Sequence, residues 1–108
     1  MIISELVPNA TFDVLKARIL SKQGPKRVGS RAKGIRYLWE LLLADQSGTT
    51  VLSLWGANAG DGFKVSDVIT ITEGWCKTFN GVKQVSLGRA GKLKKVPDDP
   101  SLPRQINY

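Results

Sequence analysis

The sequence has no histidine and a single cysteine, Cys76. Without histidine, the side chain most often used as a general base near neutral pH is missing. One cysteine excludes a disulfide within the chain, and zinc would have to be held by carboxylates alone, an uncommon donor set. Acids are scarce, with nine Asp and Glu in 108 residues, and they are scattered. A metal-dependent nuclease needs clustered carboxylates, and none is evident. No glycine loop ending in Lys-Ser or Lys-Thr is present to cradle a nucleotide phosphate. The expectation is a protein that is not an enzyme, with no metal, no cofactor and no small-molecule substrate. No stretch approaches the ~18 apolar residues of a membrane-crossing helix. The opening Met-Ile-Ile-Ser-Glu lacks the charged start and apolar run of a secretory signal. An intracellular protein without a membrane partner is therefore expected.

What is abundant is positive charge. Sixteen Lys and Arg oppose the nine acids, for a net charge of +7. Such a balance favours polyanionic partners, although a merely solubilising surface fits the total equally well. The distribution says more. From Val14 to Trp39 there are eight bases and no acid: Lys16, Arg18, Lys22, Lys26, Arg27, Arg31, Lys33 and Arg36. From Gly74 to Pro97 there are six bases and again no acid: Lys77, Lys83, Arg89, Lys92, Lys94 and Lys95. Two acid-free stretches suggest two walls of a positive groove.

The hydrophobic pattern is that of strands. Residues 12–21 alternate with one break, as a strand with a bulge would. Residues 22–34, with three glycines, a proline and five bases, read as a long basic loop. Residues 35–44 read as a buried strand, with helix a competitor because of Leu41-Leu42-Leu43. The turn Asp45-Gln46-Ser47-Gly48 favours strand. Residues 49–55 place Leu52 and Leu54 on one face and Val51, Ser53 and Trp55 on the other. Residues 67–72 direct Ile69 and Ile71 inward, and Gly74 allows a bend. The most specific local signal follows. Asn80-Gly81 between strand-forming residues is the signature of a two-residue hairpin. It pairs Trp75 with Ser86, Lys77 with Gln84 and Phe79 with Val82. Trp75, Lys77 and Phe79 then share one face, while Val85 and Leu87 face the core. Residues 97–108, with three prolines, read as a short exposed tail after a domain spanning 1–96. Asp98-Asp99 within it reads as a solvated turn.

Five strands, no long helix and a bent fourth strand predict an all-β protein: a five-stranded Greek-key barrel of the OB type, with a basic loop between strands one and two (L12) and an aromatic β4–β5 hairpin. An SH3-like barrel has a similar strand count. Flat rings beside cations suit unpaired bases, which stack on aromatics with little regard to sequence.

Three segments carry a resemblance. Ala44-Asp45-Gln46-Ser47-Gly48 through Leu54-Trp55-Gly56, the hairpin Gly74–Gly81, and Leu87-Gly88-Arg89-Ala90-Gly91-Lys92-Leu93 together resemble the simple OB-fold single-stranded DNA-binding proteins. That family includes the crenarchaeal-type SSB and the B subunit of the eukaryotic SOSS complex. The resemblance covers residues 5–96. It implies stacking of bases on Trp55, Trp75 and Phe79, protection of single strands in replication and repair, and repair-complex protein partners. A further aromatic that some members carry on the returning strand is Ser86 here. Location would be nuclear in a eukaryote, or cytoplasm and nucleoid in a prokaryote. Lys33, Arg36, Lys77 and Arg89 are expected to neutralise phosphates. Against these readings stand plainer ones. Trp55 could be a rim residue, and the hairpin rings could dock a protein partner. The same surface would also accept single-stranded RNA. Trp39 is assigned to the core, Tyr37 to groove wall or plain surface alike, and Cys76 to core filling.

Overall fold

The computed structural model describes residues 1–79 and 81–104, without the side chains of Phe79, Arg89 and Ala90. Five strands make up most of it: β1 (Ala10–Ser30), β2 (Gly34–Asp45), β3 (Gly48–Trp55), β4 (Val68–Phe79) and β5 (Val82–Val96). β1, β2 and β3 are successive antiparallel neighbours. β3 then pairs in parallel with β5, and β4 lies between β5 and β1, so that the barrel closes in the order β1-β2-β3-β5-β4. Closure leaves no long sheet edge within the barrel and gives every strand an inner and an outer face.

Alternation sets which residues enter the core. Leu15 and Ile19 of β1, Leu41 and Leu43 of β2, Leu52 and Leu54 of β3, Ile69 and Ile71 of β4, and Val85 of β5 are all buried. The Leu41–Leu43 run is thus strand, with its two outer leucines inward and Leu42 outward and half-buried. The anticipated bulge in β1 is present, as the pairing with β2 slips between Ile19 and Ser21. Trp39 lies in the core, donating from its indole N–H to the Gly56 carbonyl at 3.0 Å. Cys76 is buried with it, and burial pushes its thiol pKa up. Gly74 has a steric reason as well as a conformational one: a Cβ there would run into the Phe12 ring.

Two expectations are corrected. Residues 22–34 are not a loop. β1 and β2 continue their pairing outward, from Lys26 opposite Leu38 to Ser30 opposite Gly34, and only Arg31–Lys33 turns. The glycines that suggested a loop permit the ribbon instead. Gly29 has φ +114°, and a Cβ on it would meet the Gly34 carbonyl of the facing strand. The result is a two-stranded arm that projects from the barrel, and the molecule measures 46 × 30 × 27 Å.

The described segment after Pro97 is largely exposed, as expected, but it is docked on the barrel rather than free. Leu102 is buried, and Asp98-Asp99 closes over Arg18, whose side chain is fully buried. Arg18 Nη1 donates to Asp98 Oδ1 at 2.6 Å and to the Ser66 carbonyl at 2.8 Å, while Nη2 donates to the Asp99 carbonyl at 2.7 Å. Lys16 Nζ lies 3.0 Å from Asp99 Oδ2. The acid pair looked solvated because its cationic partner sits about 80 positions earlier in the chain.

Candidate nucleic-acid interface

The outer faces of β2, β3, β5 and β4 form one continuous surface, and its side chains can be read in cross-strand rows. Glu40 faces Ser53, Ser53 faces Ser86, and Ser86 faces Trp75. One row away, Leu42, Val51, Gln84 and Lys77 line up in the same manner. On the other side of the first row Leu38 faces Trp55. Trp55 and Trp75 therefore project from the same side of the barrel. They are 42% and 37% exposed, well above the 7% of the core Trp39. Two strand spacings and two residues of offset separate them, on the order of 12 Å. One base cannot span that distance, so each ring is available to a different nucleotide.

Cations are arranged around these rings. The Arg36 guanidinium lies 4.3 Å from the centre of the Trp55 ring, within cation–π range. This contact holds the indole in place and occupies one of its two faces. Lys77 is half-buried and one row from Trp75 on the same face. Lys33 is elsewhere: it is exposed in the turn at the tip of the β1–β2 arm, ~17 Å along the strand from the Leu38–Trp55 row. Tyr37 follows Arg36 in the strand, so it lies on the reverse face of the arm, 38% exposed. Phe79 is paired with Val82 in backbone register, as expected, but its ring and the Arg89 side chain lie outside the described residues.

Not every base of the two acid-free stretches contributes free charge. Arg18 is sealed in the tail contact. Lys22 Nζ donates to the Phe63 carbonyl at 2.8 Å and sits 4.7 Å from the Trp39 ring centre. Lys26 pairs with Glu40 at 2.7 Å, and Lys95 with Asp67 at 3.4 Å. Glu40 was missed by the sequence reading. It is an acid in the middle of the outer face, just beyond the first acid-free stretch. Among the described residues no cluster of three metal-ligating side chains occurs.

Comparison with known proteins follows from this geometry. No family model matches the chain. In sequence it is similar to the single-stranded DNA binding protein Ssb of Saccharolobus solfataricus, 27% identical over 97 residues, which is 90% of this chain. The chain spans 64% of the length of that relative. In structure it is similar to the second OB-fold domain of replication protein A from Methanococcus maripaludis. The TM-score is 0.71 at 22% identity, over 92% of this chain and 98% of the other. The barrel is an OB-fold. A replication factor A related protein of Methanobacterium thermoautotrophicum has the same OB-fold, with a TM-score of 0.72 at 22% identity over 89% of each chain. The SH3-like alternative is thereby set aside. Within this OB-fold the turn Asp45–Gly48, part of the Ala44–Gly56 segment that carried the resemblance, has a structural task. The buried Asp45 carboxylate accepts from the Ser47 N–H and hydroxyl at 2.7 and 2.6 Å and from the Ile3 N–H at 2.7 Å. It fixes the β2–β3 turn and ties the N-terminus to it.

Proposed function

We propose that this protein binds single-stranded DNA with little sequence preference and protects exposed strands during replication and repair. One observation carries the reading: Trp55 and Trp75 stand exposed on the same outer face, about two strands apart, with Arg36 and Lys77 beside them. Each ring stacks a separate base, and Phe79 on the same hairpin face supplies a third platform. Base–aromatic stacking is worth about 1–3 kcal/mol per base and accepts any base. Arg36 and Lys77 neutralise phosphates along the face, Lys33 does so from the arm, and Arg89 is a further candidate by its charge. Occupancy is about 4–6 nucleotides, toward the lower end for such barrels. The Saccharolobus relative, named as a single-stranded DNA binding protein, supports the assignment.

The test is a titration with matched single-stranded DNA, single-stranded RNA and duplex DNA at two salt concentrations. Single-stranded DNA binds with an affinity that falls as salt rises, because neutralised phosphates release counterions. Duplex binds weakly, because pairing hides the base faces. Equal affinity for duplex and single strand would overturn stacking as the basis of binding. RNA binding as tight as DNA binding would overturn the restriction to DNA.

A further inference from the structure

The β1–β2 arm leaves the barrel with one long edge unpaired. Pairing of β1 with β4 ends at Arg18 opposite Val68. Ile19 makes the last backbone bonds on that side, to Ser66 and Asp67. From Leu20 to Ser30 the edge of β1 turned away from β2 has no backbone partner among the described residues. A register slip and Pro25, which lacks an N–H, interrupt its first part. Lys26, Arg27, Val28, Gly29 and Ser30 then run in unbroken register with β2 on their inner side only. The free edge of β2 is shorter, because the Tyr37 carbonyl already accepts from the Gly56 N–H.

The same arm carries uncovered apolar surface. Val28, Ile35 and Tyr37 are all exposed. Arg27 faces Tyr37 and Gly29 faces Ile35, so Arg27, Tyr37 and Ile35 share the face opposite to Trp55. Gly29 contributes no side chain there, which leaves the flank of Ile35 open toward the free edge. A two-stranded ribbon is only marginally stable in water by itself, and a third strand would pair its edge and cover these side chains. Charge decides which strand. Lys26, Arg27, Arg31, Lys33 and Arg36 stand on the arm, and no acid occurs from Val14 to Trp39. Lys26 is paired with Glu40, whereas Arg27 has no ion-pair partner among the described residues. Two arms of this chain would repel one another, which excludes a second copy. A phosphodiester backbone brings negative charge, but it has no N–H for the edge carbonyls and nothing to lay on Ile35.

We infer that the free edge of β1 receives an acidic strand of a partner protein, added to the arm as its third strand. The residue beside Gly29 is apolar and leans over Gly29 onto Ile35 and Tyr37. The residues two positions to either side are acidic, one beside Arg27 and the other toward Arg31. Main-chain hydrogen bonds supply affinity, and the alternate side chains supply selectivity. The docked side chains lie on the face of the arm turned away from Trp55, and the inference does not rest on the single-strand binding proposed above. Strand and nucleic acid are held at the same time.

The probe is a synthetic peptide about seven residues long, in which threonines alternate with a glutamate, a valine and a second glutamate. One control peptide carries lysine for both glutamates, and another carries proline for the valine, which removes a strand N–H. Each is titrated into the protein while backbone amide shifts and hydrogen exchange are followed by NMR. With the glutamate peptide, amides within Lys26–Ser30 shift and gain protection. Both controls bind about fivefold more weakly or worse. Arg27→Glu reverses the ranking of the glutamate and lysine peptides; if that variant does not fold, the three peptides on the wild type decide alone. Equal binding of all three, or no change within Lys26–Ser30, would overturn the inference. Oligothymidine is then added to the peptide complex, and the peptide-induced shifts persist. Displacement of the peptide would assign the edge to nucleic acid and overturn the protein strand. A protein that takes the peptide but binds no oligothymidine would overturn the single-strand reading and uphold this one.

Discussion

Arg36 and Trp55 work as a unit. The guanidinium lies over one face of the indole, and in the proposed binding mode a base would stack on the other, so that base and cation sandwich the same ring. An arginine suits this place because its plane stacks where an ammonium does not. Trp75 has no such cover described, and it stands alone at the far end of the Glu40–Ser53–Ser86 row. Truncating it should therefore report stacking most cleanly: Trp75→Ala weakens single-stranded DNA binding about tenfold or more, with an unchanged melting temperature. Fluorescence anisotropy with a labelled oligonucleotide checks this, and an unaltered affinity counts against stacking. Glu40 gives an opposite expectation. It places a carboxylate on the outer face and holds Lys26 at 2.7 Å. Glu40→Gln removes the charge and releases the lysine, so affinity should rise severalfold at low salt and the gain should shrink as salt screens it. A weaker complex would show that the Lys26–Glu40 pair orders the surface rather than opposing the ligand.

At the scale of elements the β1–β2 arm is the feature that sequence reading described least well. Arg27 is carried on a paired ribbon, and Arg31 and Lys33 on the turn at its tip, and this fixes how far from the barrel they lie. Lys33 at its tip touches neither ring, and its proposed role is that of a point charge for a phosphate. Lys33→Ala should flatten the dependence of log affinity on log salt by about one unit and leave base preference unchanged. Measuring the slope for both proteins with the same oligonucleotide decides it. An equal slope would mean that the arm tip does not reach the strand. The barrel itself was legible because its signals are local. Alternation gave the inner faces of β3 and β4, Asn80-Gly81 gave the hairpin register, and Ser53 parity placed Trp55 outward. What stayed hidden depends on distant partners. The glycines of 22–34 have the composition of a loop, and only the facing strand reveals that Gly29 is needed for close approach. Asp98 and Asp99 look solvated until Arg18 is brought beneath them.

For the whole molecule, two kinds of charge act on different properties. Arg18, Lys16, Asp98 and Asp99 clasp the chain end to the barrel and bear on stability. The hydrogen bond from Arg18 holds Asp98 below its ordinary pKa, and the Ser101 hydroxyl, then Lys16, bring Asp99 down to about 2. A carboxylate with a depressed folded-state pKa adds stability that is present above its unfolded value and lost as protons return. The melting temperature should accordingly fall as pH drops from about 4 toward about 2. The fall should be smaller in an Asp98→Asn, Asp99→Asn protein, whose melting point is already lower at neutral pH. An equal fall in both would assign the acid sensitivity to other carboxylates. Arg36 and Lys77, beside Trp55 and Trp75, and Lys33, at the tip of the arm, are the cations proposed to act in binding. The three tryptophans supply their own probe, since Trp39 is buried and the other two are exposed. The most direct measurement is intrinsic fluorescence on adding oligothymidine to the wild type and to Trp55→Phe, Trp75→Phe, with binding followed independently by anisotropy. The wild-type emission is quenched on binding, and the variant, left with Trp39 alone, binds with almost no quenching. Binding without quenching in the wild type, or quenching that persists in the variant, would contradict stacking on the outer face.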